Sequence, residues 1–118
     1  MYPHEHLFSI EETRKIVLPD LYKEFYLACF NRRPEKLVGT DLINDVGDLN
    51  VWAKELLEEC GVDDVLSDQD FVFMMHQGYM FWYFNANGDP DPQVSGFNEA
   101  KKTRDKFGSL SHFIGNMR

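Results

Sequence analysis

The segment FVFMMHQGYMFWYF, Phe71 to Phe84, constrains the fold more than any other part of the chain. Eleven of its fourteen side chains are apolar or aromatic, and its one polar break is His76-Gln77, followed by Gly78. In an extended chain Phe71, Phe73 and Met75 share one face and Val72 and Met74 the other. Gly78 accepts a positive φ at low cost, so Gln77-Gly78 is the expected reversal between Met75 and Tyr79. The returning segment YMFWYF is apolar at every position. A strand that does not alternate is covered on both faces, or on one face by its own chain and on the other by a partner. The stretch is thus expected to form a β-hairpin at the centre of a sheet, and the rest of the chain must supply its cover.

That cover is legible as helices. Leu49, Trp52, Ala53, Leu56, Leu57 and Cys60 recur at i, i+3, i+4 and i+7 and fall within about 140° of a wheel at 100° per residue. Asp48 is placed to cap this helix and Gly61 to end it. Its other side, with Asn50, Lys54, Glu55, Glu58 and Glu59, is expected in water. A second helix starts at Pro19, a good first-turn residue, and repeats Leu18, Leu21, Tyr22, Phe25, Tyr26 and Cys29 until NRRP, residues 31–34, stops it. Ser9 and Glu12 have capping-box spacing, which predicts a short helix from Ile10 to about Val17. KLVGTDLI, residues 36–43, reads as a strand interrupted by Gly39. After the hairpin, Asn87-Gly88 signals a second turn. Pro90 and Pro92 hold an extended edge, QVSGF forms a short strand, and Ser109 caps a last helix that buries Leu110, Phe113, Ile114 and Met117. Helices, then antiparallel strands, then a helix give an α+β fold. A chain of 118 residues is expected to be one domain, spanning 1–118.

Charge narrows the function. The net charge is −8, with ten carboxylates and one base between Asp41 and Asp70, and five bases and one acid from Lys101 to Arg118. The acidic part repels a phosphate backbone, so nucleic acid is not an expected partner; it attracts a basic one. The longest apolar run, Tyr79 to Phe84, falls far short of the roughly 20 residues that span a bilayer, so no membrane association is expected. MYPHEHLFSIEETRK has no basic segment leading into an apolar one, so no signal peptide is expected and the expected location is the cytoplasm. In that setting Cys29 and Cys60, each on an apolar helix side, are read as buried reduced thiols, with a disulfide between them the alternative.

No catalytic centre emerges. His76 at a hairpin reversal is read as bonding local backbone. His4 and His6 are too few to hold a metal. Asn85, Asn87, Asp89 and Asp91 alternate like calcium ligands, but the glycine is one place out, prolines intervene and no closing glutamate follows, so the segment reads as a turn. There is no phosphate loop, nucleophile elbow or zinc spacing. Neither cofactor nor metal is expected, and the chain is not expected to be an enzyme.

Several motifs resemble one family. VLPDLYKEFYLACF resembles the Leu-Pro-x-x-Leu/Tyr-x-x-Phe helix opening of the SUKH superfamily. FVFMMHQGYMFWYF resembles its hairpin, DPDPQVSGFNEA its Asp-Pro-x-Val-x-x-Tyr/Phe-x-Glu segment, and SLSHFI its closing helix. The likeness runs from about Leu18 to Ile114. It implies a twisted antiparallel sheet packed by helices, with Pro19, Phe25, His76, Gln77, Gly78, Tyr79, Pro92 and Val94 in structural roles. Ala100 stands where the family commonly has Gly, which bears on the tightness of the turn after Glu99. Bacterial members are typically immunity proteins that bind and neutralise a cognate toxin, often a nuclease, and fungal relatives regulate the cell wall through protein contacts. The expected function is therefore stoichiometric neutralisation of a basic protein toxin, with a regulatory or scaffolding interaction module as the alternative. The expected contact residues are Glu55, Glu58, Glu59, Asp63, Asp64, Asp89 and Asp91.

Overall fold

The computed structural model describes residues 3–31, 40–41, 48–62, 66–76 and 79–117. Among these, the elements are α1 (Pro3–Arg14), α2 (Asp20–Asn31), β1 (Thr40–Asp41), α3 (Leu49–Glu59), β2 (Asp70–His76), β3 (Met80–Asn85), β4 (Gln93–Asn98), β5 (Thr103–Ser109) and α4 (Leu110–Met117). The strands form one antiparallel sheet in the order β1-β2-β3-β4-β5. The fold is α+β, as the element pattern implies.

β2 and β3 form the expected hairpin at the sheet's centre. Gln77 and Gly78 lie outside the described residues, but the Tyr79 N–H donates to the His76 carbonyl at 3.2 Å and closes the reversal. Phe71 through Met75 are all buried, so β2 is covered on both faces. On one face the Tyr22 ring of α2 meets Phe71, Phe73 and Phe84 at 5.3, 5.9 and 5.5 Å. Phe113 of α4 meets Phe73 and Trp82 at 5.7 and 6.3 Å. The other face buries Val72, Met75, Phe81, Tyr83 and Phe97, with Phe81 stacked on Phe97 at 5.5 Å. Strict alternation fails at one place. A bulge between Val72 and Met74 adds a residue to β2, and Met74 pairs with Trp82. Cross-strand partners share a face, so Met74 joins Phe73 on the α2–α4 side instead of lying with Val72. β4 approaches closely at Gly96, where an added Cβ would lie 2.6 Å from the Phe107 ring.

The hairpin's outer edge is closed by a side chain. β1 pairs only with Met75 and His76, which leaves the start of β2 without a strand neighbour on that side among the described residues. Asn50 of α3 takes that place. Its carboxamide accepts from the Val72 N–H at 2.8 Å and donates to the Asp70 carbonyl at 2.8 Å, as a neighbouring peptide unit would. Arg14 of α1 joins it, donating to Asn50 Oδ1 at 3.1 Å and to the Asp70 carbonyl at 2.9 Å, with its guanidinium 5.8 Å from the Phe71 ring centre. Asn50, expected in water, is therefore buried (8% exposed); its position beside the apolar stripe lets a short amide reach the strand.

Other expectations shift. α1 starts at Pro3 rather than Ile10, so Ser9 and Glu12 are mid-helix residues and not a capping pair. Leu7 and Ile10 carry its burial. In α2 the Pro19 carbonyl accepts the first helical bond, from the Lys23 N–H at 3.1 Å. Of residues 36–43 only Thr40–Asp41 is described as strand; the remainder lies outside the described residues, as do residues 32–34. Trp52, expected in the core, is half-buried. Cys29 and Cys60 are not joined in a disulfide, the first being buried and the second half-buried. β5 was not foreseen. The turn after Glu99 is formed with Lys102 at φ 54° and the Ala100 N–H on Asn98 Oδ1 at 2.8 Å. The left-handed position thus falls on Lys102, and Ala100 needs no glycine's freedom. No described helix is long and apolar enough to cross a membrane.

Phe81 is fully buried, so Phe81→Ala is expected to cost about 3–5 kcal/mol in denaturant unfolding. Among the described residues the buried Tyr22 hydroxyl has no hydrogen-bond partner, and burial pushes its pKa well above the ordinary phenol value. Removing an unpartnered buried hydroxyl relieves a desolvation cost. Tyr22→Phe is therefore expected to leave stability unchanged or raise it by up to about 1 kcal/mol; a loss beyond that in the same measurement contradicts the assignment.

Candidate functional site

α3 is fixed to the sheet by Leu49, Ala53, Leu56 and Leu57, all buried, and by Asn50. The helix ends as its sequence directs. Gly61 at φ +70° lets its N–H reach the Glu58 carbonyl at 3.1 Å and the Val62 N–H reach the Leu57 carbonyl at 2.9 Å, a Schellman closure. The start differs from expectation. Asp48 occupies the N-cap position and its carbonyl accepts from Trp52 at 3.1 Å, but its side chain makes no cap bond and is exposed.

The outward side of α3 is a continuous stripe. Asp48, Val51, Glu55, Glu58 and Glu59 are exposed and lie within about 100° of one another on the helical wheel. Val51 is 55% exposed among these carboxylates. The acids oppose the helix's own electrostatics. Its last turn contains no base and its first turn no acid, so Glu58 and Glu59 sit at the negative end of the macrodipole. Glu55 and Glu59 are also a like-charged i, i+4 pair. Among the described residues no ion pair involves these three glutamates. Local helix stability does not account for them.

The remaining predicted contact residues divide. Asp63 and Asp64 lie outside the described residues. Asp91 belongs to the fold: its carboxylate accepts from the Ser111 N–H at 2.8 Å and the Ser111 hydroxyl at 2.7 Å, capping α4 together with Ser109 Oγ, which accepts from the His112 N–H at 3.4 Å. Asp89 Oδ1 accepts from the Asp91 N–H at 3.0 Å and Asn87 Oδ1 from the Asp89 N–H at 3.2 Å. The calcium-like alternation is thus a pair of Asx turns in a loop longer than the two-residue turn that Asn87-Gly88 signals. Asp91 is not part of the α3 stripe.

Of the positions given structural roles, Gln77 and Gly78 lie outside the described residues. Pro19, Phe25, Pro92 and Val94 are buried, and the Pro92 carbonyl accepts from the Leu110 N–H at 2.8 Å. His76, half-buried, meets the exposed Tyr79 edge-on at 5.6 Å. His6 Nδ1 lies 3.1 Å from Tyr26 Oη. A cleft of about 290 Å³ between α1 and α2 is lined by Glu5, Leu7, Phe8, Glu11, Lys23 and Leu27. The Glu11 carboxylate there is already bound, by Lys23 Nζ at 3.2 Å and the Leu18 N–H at 3.0 Å. The features sequence reasoning missed are Val51 in the acidic stripe and Asn50 beneath it. Val51 was findable, as an apolar residue on the polar side of the wheel.

The division between Asp91 and α3 predicts separate outcomes. Asp91→Ala is expected to lower stability by about 1–2 kcal/mol through the lost cap, while Glu58→Ala stays within about 0.5 kcal/mol of the parent or above it. Chemical denaturation of the two variants checks this; equal effects would contradict the division. No protein-family model, curated protein or solved structure matches the chain.

Proposed function

We propose that the chain is an immunity protein that binds a basic protein toxin in a one-to-one complex through the outer face of α3. It acts by occupancy, without turnover. The observation that carries this reading is the placement of Glu58 and Glu59 against the helix dipole, with Glu55 a like-charged neighbour of Glu59, around an exposed Val51. These glutamates make no ion pair among the described residues, so their charge is available to a partner. A rigid acidic stripe speeds encounter with a cationic surface, and an apolar residue within it supplies a contact that excludes water. The resemblance of the helix opening, hairpin and Asp91-to-Glu99 segment to SUKH proteins supports the same reading.

The test uses a candidate basic toxic domain, sought among the products of neighbouring genes, and the variant Glu55→Lys/Glu58→Lys/Glu59→Lys. Reversal at Glu58 and Glu59 is expected to raise the free chain's stability by about 0.3–1 kcal/mol at low salt, because the macrodipole now favours the charge. Association with the toxin is expected to slow by at least about tenfold at low ionic strength and to lose its decline with added salt. A variant that associates as fast as the parent, with the same salt dependence, overturns the reading.

A further inference from the structure

Among the described residues β5 is the end strand of the sheet, paired to β4 and last in the strand order. Thr103, Arg104, Asp105 and Lys106 are all exposed. With Lys101 and Lys102 in the preceding turn, this edge carries four bases against Asp105, opposite in sign to α3.

The register fixes where its main chain points. The Glu99 N–H donates to the Tyr79 carbonyl at 2.9 Å, and in an antiparallel ladder bonded and non-bonded pairs alternate. Phe97 and Ser95 therefore bond toward β3, and Asn98 and Gly96 toward β5. Asn98 pairs with Thr103, Gly96 with Asp105 and Ser95 with Lys106. The N–H and C=O of Lys106 consequently face away from β4, at an exposed residue. Such an edge accepts another strand. A second copy of β5 fits badly. Antiparallel pairing centred on Asp105 sets Arg104 against Lys106, and pairing centred on Arg104 sets Arg104 against its own copy; like charges directly opposite are destabilising. An acidic strand reverses that sign at each position.

We propose that β5 is a docking edge for an extended acidic peptide, which adds as a further strand on the main-chain groups of Lys106 and sets its carboxylates against Arg104 and Lys106. This is independent of the α3 stripe and of the toxin reading.

The probe is a capped hexapeptide alternating Thr and Glu, titrated into the full chain, with the Thr-Lys hexapeptide as control. Saturable binding of the Thr-Glu peptide alone is expected, with slower hydrogen exchange at the Lys106 amide. Lys106→Gln removes only the charge and is expected to weaken binding about threefold. Lys106→Pro also removes the outward N–H, which β4 does not use, and is expected to bind about fivefold more weakly than Lys106→Gln. The proposal is overturned by absence of saturable binding up to about 1 mM, by binding of the Thr-Lys peptide equally well, or by equal weakening in the two variants. Should Lys106→Pro unfold, exchange at the Lys106 amide of the parent decides: slowing upholds strand addition, and an unchanged rate overturns it.

Discussion

A strand buried on both faces has to satisfy its main chain at its edges, and in this protein one side-chain amide meets that requirement where β1 does not reach. The Asn50 carboxamide gives the Val72 N–H an acceptor and the Asp70 carbonyl a donor, both at 2.8 Å. Without them the buried Val72 N–H would lie unpaired, at a cost of about 1–3 kcal/mol, and the Asp70 carbonyl would keep only Arg14. The same contact sets where α3 lies along β2 and brings in Arg14. That guanidinium is half-buried, and burial lowers its pKa while Asp68 and Asp70 act to raise it. α1, α3 and the central hairpin are thereby joined at one polar node inside a core otherwise built of Phe, Tyr, Leu and Met side chains.

The node gives the acidic stripe its rigidity. Asn50 immediately precedes Val51, so the helix turn held on the strand edge is also the turn that presents Val51 outward. A charge cluster on a mobile segment would have to be ordered on binding; one on a docked helix is in place beforehand. The C-terminal half of α3 meets its electrostatic handicap with apolar packing at Leu56 and Leu57 and with the Gly61 closure, both of which hold the end of the helix despite Glu58 and Glu59. Along the sheet, charge is segregated. α3 packs on β2, next to the β1 edge, and the basic residues of β5 line the opposite edge, so the two ends suit partners of opposite sign.

Much of this was legible in the residues. The non-alternating hairpin, the apolar stripes of α2 and α3 and the Gly61 stop depend on local chemistry and came through. β5 did not, because Thr-Arg-Asp-Lys-Phe-Gly-Ser is a charged edge strand with one exposed side, whose pairing is set by β4 rather than by its own pattern. The bulge after Val72 was hidden because every residue around it is apolar, so a change of phase leaves no trace. Asn50 was assigned to water, and Asp91 to a partner's contact surface, for a common reason. A short polar side chain next to an apolar stripe or a turn reads as solvent-facing until the backbone groups it serves, on a strand or a helix distant in sequence, are in view. The α3 stripe was half visible: its carboxylates were evident, whereas Asp48 was taken for a cap and Val51 was passed over.

The central claim, that an amide on α3 replaces a strand neighbour for β2 and so holds the acidic helix in place, is tested most directly by hydrogen exchange at the Val72 amide. In the parent chain Val72 should exchange as slowly as Phe71, whose own groups face β3. In Asn50→Ala, under conditions where the chain remains folded, Val72 should exchange at least about tenfold faster relative to Phe71, with the amides of α3 following it. A Val72 amide that exchanges at the same rate relative to Phe71 in both proteins would contradict the account.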